Sequence, residues 1–194
     1  AHIKTLGGER KYVEPAKGTV NPRVFIDRLA KKMPANVTVV ADVGQNQIWT
    51  CTEYKFRKEG RLLTSGGMGT MGYSVPAAIG AKMADDSRAT VAICGDGAFQ
   101  MSFMELATAV QFGVDIKVVV MTNNRLGMVR ELQTNGYHDR QTAVFLDGSP
   151  DFIKLAEAYG IPAMRVYDDD TMEKGVEMLA EHKGICLVEV VVDK

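Results

Sequence analysis

The sequence predicts an α/β fold, a mostly parallel sheet flanked by helices on both faces. Two observations lead to this fold class. Short apolar runs alternate with helical patterns along most of the chain. Two of the runs, residues 91–94 and 116–121, each end in a polar loop, and the loops lie about one strand–helix–strand unit apart. Because the carboxyl ends of parallel strands meet at one edge of a sheet, a ligand site is expected there.

Helix caps and composition predict the first elements. Residues 1–20 are polar and contain several glycine and proline residues, so we assign them to a linker or N-terminal arm. Residues 21–194 are assigned to the domain. Asn21 is expected to cap the first helix, and Pro22 suits its first position. The β-branched run 37–41 predicts a buried strand.

The later elements are predicted in the same way. Residues 134–150 predict a long loop, and Asp151 is expected to cap the helix that follows. The aspartates 168–170 are interpreted as a turn and helix cap, since consecutive residues of a regular element cannot all face one metal ion. Strands are expected at 163–167 and 185–192. The helix after residue 97 has apolar side chains that predict its core face: Phe103, Leu106, Ala107 and Val110.

Composition excludes several functional classes. The net charge of −1 offers no electrostatic case for binding nucleic acid. No apolar run approaches the roughly 20 residues that span a bilayer, so no membrane partner is expected. The three cysteines lack metal-ligand spacing, which favours reduced thiols and a cytoplasmic location. Cys94 and Cys186 lie in strand patterns and are expected in the core.

The two polar loops have the chemistry of a diphosphate site. Asp96 follows the first apolar run and Asn123 follows the second. One carboxylate and one carboxamide suit Mg²⁺, which uses few protein oxygens and takes others from phosphate and water. Gly95 and Gly97 let the backbone approach a phosphate closely. We interpret this pattern as a site for a diphosphate held through a metal ion.

A second glycine pattern leaves a different function open. Gly67, Gly69 and Gly72 satisfy the dinucleotide fingerprint, and a helical pattern follows them. The strand expected before this loop is short and begins with Arg61, which counts against a dinucleotide site. An NAD-dependent oxidoreductase that uses residues 67–72 nevertheless stays an alternative.

Three blocks of the chain resemble the large subunit of acetolactate synthase (acetohydroxyacid synthase). They are Asp-Val-Gly-Gln-Asn-Gln-Ile-Trp at 42–49, residues 64–73, and the segment 95–129. The last segment contains Gly-Asp-Gly-Ala-Phe-Gln-Met and Asn-Asn-Arg-Leu-Gly-Met-Val. The resemblance runs from about residue 20 to the end. It implies the C-terminal thiamine-diphosphate-binding domain of that subunit, with the diphosphate-domain fold.

The resemblance implies roles for individual residues. Asp96, Asn123 and the backbone carbonyl of Arg125 would hold Mg²⁺. Met71 would be an apolar wedge against the cofactor ring. Asn46 stands where the family often has His, and its amide is expected to donate to a phosphate oxygen. The implied cofactor-binding residues are Gly44, Gln45, Asn46, Gly69, Met71, Gly95, Gly97, Ala98, Met101, Gly127 and Met128.

The chain departs from the family at the second-substrate pocket. Acetolactate synthases often carry Gln-Trp-Gln where this chain has Glu131, Leu132 and Gln133. Leu132 would therefore stand where a Trp shapes the pocket. This difference puts in doubt a preference for 2-ketobutyrate and the inhibitor sensitivity of the family.

The resemblance also implies an activity and partners. The activity is a ketol-type transfer that condenses two 2-keto acids (pyruvate with pyruvate or 2-ketobutyrate) with loss of CO2, in branched-chain amino-acid biosynthesis. A pyrimidine-binding domain from a neighbouring subunit would supply the activating glutamate, and a middle domain would hold most of the FAD of the full-length enzyme. A homodimer or tetramer and a regulatory small subunit are expected, and the isolated chain is expected to be inactive.

Two further alternatives stay open. One is a different thiamine-diphosphate-dependent 2-keto-acid decarboxylase built from two short chains, such as a sulfopyruvate-type enzyme. The run 126–129 favours the synthase over it. The other is a non-catalytic interaction domain that kept the fold, which would not bind the cofactor even with a partner chain.

Overall fold

A six-stranded parallel sheet forms the centre of the protein. The structure is a computed structural model that describes residues 12–193. The strand order is β2-β1-β3-β4-β6-β5, and every neighbouring pair is parallel. The predicted α/β fold is confirmed. The strands are β1 (Thr38–Ala41), β2 (Arg61–Thr64), β3 (Thr90–Gly95), β4 (Lys117–Thr122), β5 (Ala163–Val166) and β6 (Cys186–Val191).

Helices cover both faces of this sheet. In β3, Val91 and Ile93 belong to one apolar cluster, whereas Ala92 and Cys94 belong to another. Successive strand side chains point to opposite faces, so each cluster marks one buried face. The helices are α1 (Pro22–Lys32), α2 (Gln45–Glu53), α3 (Ser74–Ala84), α4 (Asp96–Gln100), α5 (Leu106–Gln111), α6 (Gly127–Gly136), α7 (Phe152–Ala158) and α8 (Asp169–Glu181), with a 3₁₀ turn at Phe103–Glu105.

The strand order reverses between β1 and β3. The chain passes from β1 outward to β2 on one side, and from β3 outward to β4 on the other side. The loops that leave β1 and β3 therefore diverge and leave a crevice at the carboxyl edge of the sheet. Ligands of open α/β sheets bind at such a switch point.

The predicted helix caps are confirmed. The Asn21 side chain accepts hydrogen bonds from the N–H groups of Arg23 and Val24, with Pro22 at the first helical position. Asp151 accepts from Ile153 and Lys154 at the start of α7. The Asp168 side chain and Thr171 form a capping box at α8, so the three aspartates are a turn and cap as predicted.

The predicted core face after Asp96 is partly wrong. Leu106 is buried and Phe103 half-buried, but Ala107 is exposed and Val110 is 44% exposed. Ala109 is buried instead. A single helix was assumed there, whereas the structure has α4, a 3₁₀ turn and α5. A 3₁₀ turn has fewer residues per turn than an α-helix, so it shifts the phase of the residues that follow.

Two predicted boundaries also shift. Val20 is 2% exposed and its N–H donates to the carbonyl of Val191, so the core begins one residue before the predicted domain start. Residues 134–136 belong to α6 and are not loop. Residues 1–11 lie outside the described part, where the linker assignment stays a prediction.

The cysteines and helices bear on two other expectations. Cys94 and Cys186 are buried, as predicted, and burial raises the pKa of the Cys186 thiol to about 11. Over residues 12–193, no helix has the length and apolar character that crossing a membrane requires. The cytoplasmic location stays a prediction.

Two glycines in helices are expected to respond oppositely to alanine. A Cβ at Gly175 would lie 2.6 Å from Val166 Cγ2 of the sheet, whereas a Cβ at Gly80 would meet nothing within 4 Å. Gly175→Ala should lower the free energy of unfolding by about 1–3 kcal/mol through overpacking. Gly80→Ala should raise it by about 0.5–1 kcal/mol because alanine restricts the unfolded chain. Urea denaturation measures both, and equal effects of the two substitutions would contradict this packing of α8.

Candidate functional site

Asp96 ties the ends of β3 and β4 together. Its carboxylate is 2% exposed. Oδ1 accepts a hydrogen bond from the Gly97 N–H at 2.8 Å, and Oδ2 accepts from the N–H groups of Asn123 at 3.1 Å and Asn124 at 2.6 Å. The predicted proximity of the two polar loops is therefore confirmed, and the carboxylate is the group that joins them.

The protonation of Asp96 reflects two opposing effects. Burial raises the pKa of this carboxyl above its ordinary value, and the backbone N–H groups of Asn124, Gly97 and Asn123 oppose that rise. A divalent cation beside the carboxylate would also favour the ionised form. Burial therefore disfavours the charge on Asp96, and the backbone N–H groups reduce that penalty in part.

The loop after β4 presents oxygen atoms near Asp96. The Asn123 side-chain oxygen accepts from the Arg125 N–H at 3.0 Å. Asn124 has φ +54°, a left-handed conformation that Asn tolerates better than most residues. This turn reverses the chain just after the strand, and it places the Asn123 side chain and the Arg125 carbonyl in the same short loop.

Residues 144–146 hold that loop from outside. The Leu126 N–H donates to the Val144 carbonyl at 2.8 Å, and the Leu146 N–H donates to the Asn124 carbonyl at 3.0 Å. The Arg125 carbonyl, the predicted metal ligand, takes no part in this pairing. Sequence reasoning missed this segment, because residues some 20 positions away carry no motif that indicates pairing with the loop.

The Arg125 side chain strengthens the same contact. Its guanidinium lies 4.4 Å from the ring centroid of Phe145 and donates to the Asn124 carbonyl at 3.1 Å. A cation over an aromatic ring is attracted by the electron-rich face of the ring. The guanidinium therefore holds the loop in place, and the backbone carbonyl of Arg125 is the group predicted to act at the site.

The loop after β1 forms the opposite wall. Gly44 has φ +143°, and a Cβ there would lie 2.6 Å from the Asn46 side-chain oxygen, so this position needs glycine. The amide nitrogen of Asn46 donates to the backbone carbonyls of Asp42 at 2.8 Å and Ile93 at 3.2 Å. We predicted that this amide donates to a phosphate. In the structure it instead donates both hydrogen bonds to backbone carbonyls, and these bonds join the end of β1 to β3.

Gln45 extends across the cleft towards α6. Its amide nitrogen donates to Glu131 at 3.1 Å. Its side-chain oxygen lies 2.0 Å from where a Cβ at Gly127 would stand, so any larger residue at 127 would displace the Gln45 side chain. Gln45 and Gly127, both predicted cofactor-binding residues, thus meet at the start of α6.

The loop at residues 67–72 is not arranged to bind a dinucleotide. A Rossmann loop binds pyrophosphate with the N–H groups at the start of the following helix. Here the N–H groups of Gly72 and Ser74 donate to the buried carboxylate of Asp42, at 3.0 Å and 2.7 Å. An internal anion therefore occupies the place of the pyrophosphate, which argues against the NAD alternative.

Most predicted site residues line one cleft at the switch point. Gly69, Met101 and Leu132 do not line it, and Met101 and Leu132 are 58% and 61% exposed. Apolar lining residues that sequence reasoning did not assign to the site are Val43, Trp49, Met121, Leu126, Val129 and Val192. The predicted residues that line the cleft are Gly44, Gln45, Asn46, Met71, Gly95, Asp96, Gly97, Ala98, Asn123, Arg125, Gly127 and Met128.

The cleft fits a diphosphate held by one hard cation. A Cβ at Gly97 would lie 2.8 Å from Leu126 Cδ2 and 3.3 Å from the Met71 methyl group, so only glycine leaves the backbone accessible. Among residues 12–193 no group of three or more His, Cys, Asp or Glu could hold a metal ion. A set of one carboxylate, one carboxamide and one carbonyl is instead the kind that Mg²⁺ completes with phosphate and water.

Sequence comparison agrees with this geometry. Residues 42–190 match the family described as thiamine pyrophosphate enzyme, C-terminal TPP binding domain. The chain belongs to this family. The matched region contains the switch point and all but the last of the cleft residues.

The curated relatives are acetolactate synthases. The chain is 38% identical over 181 residues to the acetolactate synthase large subunit of Lactococcus lactis subsp. lactis, and 39% identical over 191 residues to the probable large subunit of Methanocaldococcus jannaschii. It is 34% identical over 184 residues to the isozyme 2 large subunit of Escherichia coli. These alignments cover 93%, 98% and 95% of this chain. They cover only 31%, 32% and 33% of the relatives, so the chain spans about a third of their length.

The contact between Arg125 and Phe145 is expected to hold the loop at the site. Phe145→Ala should remove roughly 1 kcal/mol of cation–π attraction and speed amide hydrogen exchange at Leu126 by roughly three- to ten-fold. Tyr137→Ala is the matched control, because Tyr137 is 54% exposed, close to the 48% of Phe145, and has no ring contact with Arg125. Equal exchange at Leu126 in the two variants would show that the stacking does not restrain the loop.

Proposed function

We propose that this chain is the cofactor-binding domain of an acetolactate synthase, which binds the diphosphate of thiamine diphosphate through Mg²⁺. One observation carries the proposal. The Asp96 carboxylate and the loop of Asn123 and Arg125 are joined by hydrogen bonds at the switch point of the sheet. The family membership and the curated relatives support the same assignment.

Each part of the cleft has a separate task in this proposal. Asp96, the Asn123 side-chain oxygen and the Arg125 carbonyl hold Mg²⁺. The glycines at 95 and 97 admit the phosphate groups to the backbone, and Gln45 closes the diphosphate end beside Gly127. Gln45 has a carboxamide that can donate to a phosphate oxygen if it exchanges its bond to Glu131.

Apolar side chains line much of the cleft. Thiamine diphosphate, when bound, supplies a nucleophilic carbon and an electron sink for the decarboxylation of a 2-keto acid. The protein supplies orientation and a dry surface, because Met71, Met121 and Val192 are among the apolar residues that line the cleft. In the synthase reaction two 2-keto acids are joined with loss of CO2, and pyruvate is the expected substrate.

The proposed reaction needs groups from elsewhere. Among the described residues that line the cleft there is no glutamate to activate the cofactor. We therefore propose that a pyrimidine-binding domain of a neighbouring subunit contributes it, in a homodimer or tetramer. A middle domain that holds FAD, a regulatory small subunit and a pocket role for Leu132 remain parts of this proposal.

Metal-dependent binding of the cofactor is the direct test. Calorimetric titration of thiamine diphosphate into the chain should give heat with Mg²⁺ and none with EDTA, whereas NAD should give none. Asp96→Ala should weaken the binding by about 100-fold or more, since the loss of supporting groups at a metal site alone costs 10- to 100-fold. Asp86→Ala, at an exposed aspartate, should leave it unchanged.

Two outcomes would contradict the binding proposal. The first is the absence of heat from the wild-type chain with Mg²⁺, which would mean that these residues do not hold the diphosphate by themselves. The second is heat from NAD that persists in EDTA, which would restore the dinucleotide interpretation of residues 67–72.

Turnover is expected to depend on the missing partner. With saturating thiamine diphosphate, Mg²⁺ and pyruvate, residues 1–194 alone should form negligible acetolactate, because none of the described residues that line the cleft is a glutamate that could activate the cofactor. Acetolactate is measured as acetoin after acid treatment. Robust steady-state formation by this chain alone would defeat the proposal that a second domain completes the site.

A further inference from the structure

We infer that Asp42 is a positioning residue: its buried carboxylate fixes the backbone that carries Met71 into the cofactor cleft. The inference rests on the proposed function. It names a residue that does not line the cleft itself. Its basis is a set of hydrogen bonds between parts of the chain that are far apart in sequence.

The carboxylate of Asp42 is fully buried and satisfied by backbone groups. Its exposure is 0%. Oδ1 accepts from the N–H groups of Val43 at 2.8 Å and Gly72 at 3.0 Å, and Oδ2 accepts from the Ser74 N–H at 2.7 Å. Hydrogen bonds to a charged group are stronger than those between neutral groups, and they offset part of the cost of burying the charge.

These bonds place Met71. Gly72 is the residue after Met71 and Ser74 lies two positions further on, so the carboxylate holds the backbone just beyond that side chain. The Met71 methyl group reaches the Gly97 side of the cleft, 3.3 Å from the position of a Cβ there. Gly72 has φ +83°, and a Cβ on it would lie 3.0 Å from Met101 Cβ, so the loop has little room to shift towards α4.

A second set of hydrogen bonds connects Asp42 to the strand that leads to Asp96. The Asn46 amide joins the carbonyl of Asp42 to the carbonyl of Ile93 in β3. Ile93 lies three residues before Asp96. Movement of Asp42 would therefore shift Met71 relative to Gly97 and the Asp96 loop, beside which the Met71 methyl group lies.

Lys117 provides a matched control for loss of stability. It is 6% exposed, and its ammonium group bonds to Asp115 and to the carbonyls of His182 and Gly184. Lys117 begins β4, whereas Asp42 follows the end of β1. Because the strands are parallel, Lys117 lies at the amino ends of the strands and Asp42 at their carboxyl ends. Lys117→Met should destabilise the domain without touching the cleft.

The first experiment needs no cofactor. The Met71 methyl signal is recorded by NMR in the wild-type chain, Asp42→Asn and Lys117→Met, with Met71→Leu to assign it. Asp42→Asn should shift or broaden this signal and speed amide exchange at Gly72 and Ser74 about ten-fold or more. Lys117→Met should leave the Met71 signal in place. An unchanged Met71 signal and unchanged exchange in Asp42→Asn would overturn the inference.

The second experiment measures binding through Trp49, the only tryptophan of the chain, which lines the cleft. Thiamine diphosphate with Mg²⁺ should change its fluorescence, and Asp42→Asn should raise the Kd about ten-fold while Lys117→Met changes it less than two-fold. Equal Kd values for the two variants would overturn the inference. No response from wild type would count against the proposed function, and the methyl signal would still decide whether Asp42 holds Met71.

Folding of the variants is checked by urea denaturation before either experiment. If Asp42→Asn is not folded, Asp42→Ser, which keeps one oxygen acceptor, is compared at the same folded fraction as Lys117→Met. A Met71 signal in that variant identical to wild type would also overturn the inference.

Discussion

The hydrogen bonds accepted by the Asp96 carboxylate are the interaction on which the site depends. They reach the backbone of Gly97 on one side and of Asn123 and Asn124 on the other. Without an acceptor at this position, N–H groups in the partly buried loops after two central strands would lose their partners, which costs free energy. The residue assigned to the metal is therefore also the residue that brings the two loops together.

Asp42 repeats this arrangement one strand away. Asp96 follows β3 and bonds to the loop after its neighbour β4, and Asp42 follows β1 and bonds to the loop after its neighbour β2. The two carboxylates thus lie on either side of the switch point, each joining a pair of strand ends.

The fold and the two polar loops, at Asp96 and at Asn123, could be predicted from the sequence because local signals determine them. Apolar runs that alternate with helical patterns predicted the strands. Three capping residues, Asn21, Asp151 and Asp168, predicted the starts of helices, because each side chain accepts hydrogen bonds from backbone N–H groups at most three residues away. The position of Asp96 against Asn123 followed from the parallel sheet alone, since such strands end at one edge.

The features that were not predicted depend on contacts distant in sequence. The Arg125 guanidinium stacks on Phe145, and the Asp42 carboxylate accepts a hydrogen bond from the Gly72 N–H. No repeating pattern in the sequence indicates that these segments meet. The Asn46 amide was expected at a phosphate, but its bonds to two backbone carbonyls become visible only when β1 and β3 lie side by side. Ala107 was predicted to lie in the core because the sequence of the 3₁₀ turn at Phe103–Glu105 does not distinguish it from α-helix. This turn changes which residues of α5 face the core.

The charges around the cleft favour a cation over further protein contacts. Among the described residues, neither Asp42 nor Asp96 forms an ion pair, and the guanidinium of Arg125, a residue that lines the cleft, pairs with Asp147 at 3.4 Å and stacks on Phe145. Backbone N–H groups stabilise both carboxylates but cannot neutralise them. A diphosphate would add further negative charge to the same site. A divalent cation held by Asp96 would resolve this imbalance, because it would attract both anions and could use further oxygen atoms of the Asn123 loop.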